Sequence, residues 1–166
     1  MHKKLLITLL FLWPFCTWAA DPQVLLEDAV SLIGTGPDCN WNNQVIGQKL
    51  RDIRLNYPQT RQALDATALL AFYLTQIPGD FSDETHALCD EVTSKAPKSW
   101  QSWIANSAKI AAWGLREGED QKTLDAALTA LAQTNGSELC GNPNDILIIK
   151  PLMVSMRINI RPRLSW

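Results

Sequence analysis

Apolar residues recur at intervals of three and four along most of the chain, the spacing of amphipathic helices. Leu25, Leu26, Ala29, Val30 and Ile33 form a first stripe, opened by the capping pair Asp21-Pro22 and closed at Gly34. A loop rich in Gly, Pro, Asp and Asn follows to Asn43. Ile46, Leu50, Ile53 and Tyr57 mark a second helix, stopped at Pro58. A third is predicted from about Thr60 to Gln76, and its nearly continuous apolar run from Ala66 to Leu74 makes it the most buried. After a turn at Ile77-Pro78-Gly79-Asp80, Ser82 is expected to cap a fourth helix, with Asp83 and Glu84 at its positive end. That helix carries Leu88, Cys89 and Val92 and ends near Lys95, before Pro97. A fifth begins near Ser99; Trp100, Trp103 and Trp113 ring it, so burial on two sides is expected. A sixth sets Leu124, Ala127, Leu128 and Leu131 in register and closes at Asn135-Gly136.

The pattern returns when the chain is displaced by 39 residues. Tyr57-Pro58 falls on Ala96-Pro97 and then on Asn135-Gly136, each at a helix end. Leu50 falls on Cys89 and Leu128, and Ile53 on Val92 and Leu131. In the odd-numbered helices Leu25 falls on Leu64 and Trp103, Ala29 on Ala68 and Ser107, and Leu32 on Ala71 and Ile110. Bulky residues recur where a core needs volume, and small ones where helices approach closely. Three helical hairpins follow, at 21–58, 59–97 and 98–136, in one all-α domain spanning 20–166.

The order Trp103, Ser107, Ile110, then Leu124, Leu128, Leu131 and Gly136 resembles a tetratricopeptide repeat, and Leu64, Ala68, Ala71, Thr85, Cys89, Val92 and Pro97 follow it. The resemblance covers about two-thirds of the chain. Its small-then-aromatic signature is incomplete, and each unit is about five residues longer than the common 34. It implies a short solenoid of three stacked hairpins whose concave surface is built from the first helix of each. That surface would comprise Gln62, Asp65, Leu69, Phe72, Tyr73, Gln101, Ile104 and Ala108, a mostly apolar groove. It suits an amphipathic segment of a protein or peptide partner, or equally this chain's own Ile146–Ile149.

The last 30 residues, 137–166, break the pattern and are expected to cap the open end of the stack. A kinked helix from about 144 to 158 is one reading, an extended tail the other. Val154, Met156, Ile158 and Ile160 alternate with polar residues at strand spacing. Ending in Leu164-Ser165-Trp166, this tail resembles the last strand of an outer-membrane barrel, but the preceding sequence predicts no strands to complete one.

The first 19 residues differ again. Lys3 and Lys4 precede the apolar run Leu5 to Trp13, then Pro14 and the small residues around Ala19 and Ala20. This is the order of a secretory signal, with cleavage expected after Ala19 or Ala20. Its apolar run is far short of the roughly 20 residues that span a bilayer. Its shape points to a bacterial periplasm, with no transmembrane anchor after cleavage. Loss of Lys3 and Lys4 leaves 13 basic against 17 acidic residues, a formal charge of −4 that argues against nucleic acid as a partner.

An oxidising compartment favours a disulfide among the three cysteines that remain, Cys39, Cys89 and Cys140. In a stack of hairpins Cys39 and Cys140 lie at opposite ends, roughly 20 Å apart at 1.5 Å per helical residue. A bridge needs Cα atoms within about 7 Å, which favours a pair that includes Cys89.

Candidates for chemistry are few. His86 is the one histidine left after cleavage, so neither a two-histidine metal site nor a triad avoiding it is available. His86 and Cys89 have the spacing of a thiol–imidazole pair on one helix face, but a surface histidine beside a buried cysteine explains them as well. The acidic pairs Glu27-Asp28, Asp83-Glu84 and Glu119-Asp120 lie near helix ends, where they serve the dipole. No glycine-rich phosphate cradle is present, and Asn135-Gly136-Ser137 is a glycosylation sequon in a eukaryotic host alone. The expectation is a non-enzymatic periplasmic binding or adaptor protein, without cofactor or metal, for envelope assembly or secretion. A periplasmic immunity protein against a cell-wall-degrading toxin is the alternative.

Overall fold

Each helix starts and stops for a local chemical reason. The computed structural model describes residues 20–34, 40–79 and 81–112, together with Lys122, Asp125, Ala126 and Thr129; among these there is helix and no strand. Helix α1 (Pro22–Ile33) is capped by the Asp21 carboxylate, which accepts from the Gln23 N–H at 2.9 Å. It ends at Gly34, whose φ of 78° is a conformation that a side chain would strain. Asn43 caps α2 (Gln44–Asn56) through the Val45 N–H, and Thr60 caps α3 (Arg61–Leu74) through that of Ala63. Each cap satisfies a donor that the first turn leaves open.

The fourth start departs from expectation. Ser82 is the first residue of α4 (Ser82–Lys95) and is buried; the position before it is Phe81, which offers no side-chain acceptor. Asp83 and Glu84 stand in the first turn as predicted, and their charge acts where the cap does not. Helix α5 (Trp100–Ala112) starts after Ser99, whose Oγ accepts from the Ser102 N–H.

Neighbours in sequence pack in space. Helix α1 lies against α2, α2 against α3, α3 against α4, and α4 against α5. Odd helices also touch in order, α1 with α3 and α3 with α5. Arg51 and Arg54 of α2 reach Glu84 and Glu91 of α4, joining the even pair. The core takes Leu26, Ala29 and Ile33 from α1, Ile46, Leu50 and Ile53 from α2, and Leu88, Cys89 and Val92 from α4. Each large aliphatic side chain so buried contributes roughly 1.5–3 kcal/mol.

Helix α3 is buried on every side from Asp65 to Leu74, as its apolar run predicts. It packs tightly on α2, where a Cβ added at Gly47 would stand 2.5 Å from Tyr73 Cε1. Helix α5 is likewise enclosed, with Trp100 and Trp103 both buried. The four described positions of the expected sixth helix, Lys122, Asp125, Ala126 and Thr129, are helical and exposed. They fall on the side that the register of Leu124, Leu128 and Leu131 leaves to solvent. The expected signal segment and the expected capping segment both lie outside the described residues.

Candidate functional site

The residues expected to line an open groove belong to the core. Leu69, Phe72, Tyr73, Ile104 and Ala108 are all at most 2 % exposed, and Asp65 and Gln101 are 5 % exposed. Gln62 alone of the set keeps partial contact with solvent. Two local contacts explain why Phe72 and Tyr73 do not face a groove. The loop before α2 places Trp41 against Phe72, with ring centroids 5.3 Å apart and planes at 64°, an edge-to-face pair. The Tyr73 ring occupies the space that the missing side chain of Gly47 leaves on α2. Both rings are thus packed within the protein, Phe72 on Trp41 and Tyr73 on α2.

What the odd helices share is a set of amide contacts. Gln62 Nε2 donates to Gln23 Oε1 at 3.0 Å, and Gln23 Nε2 donates to Glu27 Oε1 at 2.8 Å. One helix further on, Gln101 Nε2 donates to the Asp65 carboxylate at 2.7 Å, away from water. Gln23, Gln62 and Gln101 are 39 residues apart in turn and hold the second position of α1, α3 and α5. The repeat read from apolar residues missed this polar recurrence, although Gln23 could have disclosed it. In a low-dielectric interior such directional bonds fix the register of one helix on the next.

The thiol–imidazole pair does not assemble. Cys89 is a free thiol, fully buried, and Sγ donates to the Ala105 carbonyl of α5 at 3.0 Å. Burial pushes its pKa up to about 12, and the Asp90 charge adds to this while Lys109 opposes it. A thiol so placed supplies no thiolate near neutrality. Of the three cysteines expected to supply a disulfide, Cys89 has its sulfur in the α4–α5 contact, and Cys39 and Cys140 lie outside the described residues. Native protein is expected to leave Cys89 unlabelled by iodoacetamide at neutral pH and to label it fully in urea, read by mass spectrometry of the peptide.

Charge concentrates on the even helices. Glu91 accepts from Arg54 and from Lys95, each at 2.8 Å. Partial desolvation raises its pKa, but the hydrogen bonds and charges of Lys95 and Arg54 outweigh this and leave it below the ordinary value of 4.5. The folded protein thus binds this proton less readily than the unfolded chain. The stabilisation is complete above pH 4.5 and is lost as pH falls through the lower folded value. Arg54→Ala is expected to flatten this acid limb of a stability–pH curve. Nearby, Thr85 Oγ1 is buried without a hydrogen-bond partner. Thr85→Val is expected to stabilise the fold by up to about 1 kcal/mol in urea denaturation, because it removes an unsatisfied hydroxyl and keeps the shape.

Among the described residues no group of three His, Cys, Asp or Glu side chains could hold a metal ion. Nor is any described helix long and apolar enough to cross a membrane. Among the described residues, the large apolar side chains at the surface are Val24, Val45 and Leu55, on α1 and α2. No family model, characterised protein or solved structure matches the chain.

Proposed function

We propose that this chain is an exported, non-enzymatic binding or adaptor module of the periplasm. In this reading hairpins of about 39 residues stack as a short tetratricopeptide-like solenoid, and the partner is a protein or peptide of the envelope. The observation that carries the reading is the Gln62–Gln23 hydrogen bond, between residues 39 apart in the chain. It supports a stack in which each odd helix meets its own equivalent in the next hairpin, the geometry of a repeat surface. The partner would approach along the odd helices, at the edge where Gln23, Glu27 and Gln62 remain accessible.

Export is supported by the leader, and Tyr57 bears on the place of cleavage. Its hydroxyl donates to the Ala20 carbonyl at 2.6 Å. A cut after Ala19 keeps that bond and a cut after Ala20 removes it, so the former is expected in the mass of the mature chain.

The binding reading is tested in the exported protein by photo-crosslinking amino acids placed singly at Gln62 and at Leu55, on opposite layers. Capture of one discrete periplasmic protein from position 62, competed by unlabelled chain and absent from position 55, is the expected result. No adduct from position 62, or equal capture from both, would sink the idea.

A further inference from the structure

We draw no further inference here: the strongest candidate, the exposed apolar surface of Val24, Val45 and Leu55 on the α1–α2 hairpin, carries nothing because nothing in the structure shows what covers it.

Discussion

Phe72→Ala is expected to lower the free energy of unfolding by about 3–5 kcal/mol, the cost of emptying a fully buried aromatic site. Phe72 has no exposed surface, and the edge of its contact with Trp41 is lost along with its volume. Against a total stability of roughly 5–15 kcal/mol this is a large share, visible as a shifted urea midpoint at unchanged slope. The same variant separates two roles for the residue. An anchor on an open surface would lose partner binding and leave the midpoint in place. A core residue loses stability first, and Trp41→Ala should then be largely non-additive with it, since the two share one contact.

Gln101→Leu is expected to cost about 1.5–3 kcal/mol, because it deprives a buried carboxylate of a charge-assisted hydrogen bond. The Leu side chain fills similar space, so the loss reports the polar contact and not a cavity. Adding Asp65→Asn to Gln101→Leu should recover part of the loss, since a neutral amide is cheaper to bury than a carboxylate. No recovery would mean that Asp65 is held mainly by its other contacts. Either result bears on the odd-helix row, in which Gln23, Gln62 and Gln101 hold equivalent positions.

Helix existence was legible because it depends on neighbours in the chain. Asp21-Pro22, Asn43 and Thr60 sit where caps are needed, and the apolar stripes predict Leu26, Ile33, Leu50, Ile53 and Val92 in the core. The start of α4 was misjudged for the same reason in reverse. Ser82 has the right chemistry for a cap, but its burial against the core takes precedence over that local preference. The 39-residue recurrence was legible too, in its apolar positions and in Gln23, Gln62 and Gln101.

The candidate groove was not legible, because exposure belongs to the assembled molecule. Phe72 and Tyr73 look the same in sequence whether they line a surface or fill a core; Trp41 and Gly47, distant in the chain, decide it. Cys89 is similar. Its position on a helix beside His86 suggested reactivity or a bridge, and the Ala105 carbonyl of another helix makes it an inert core thiol. By itself, then, the sequence determined five helices, side chains that cap three of them, their buried stripes and a period, all set by short-range sterics and hydrogen bonding. Tertiary structure decided which stripes are enclosed on both sides and which polar side chains meet, because burial and pairing depend on groups tens of residues away.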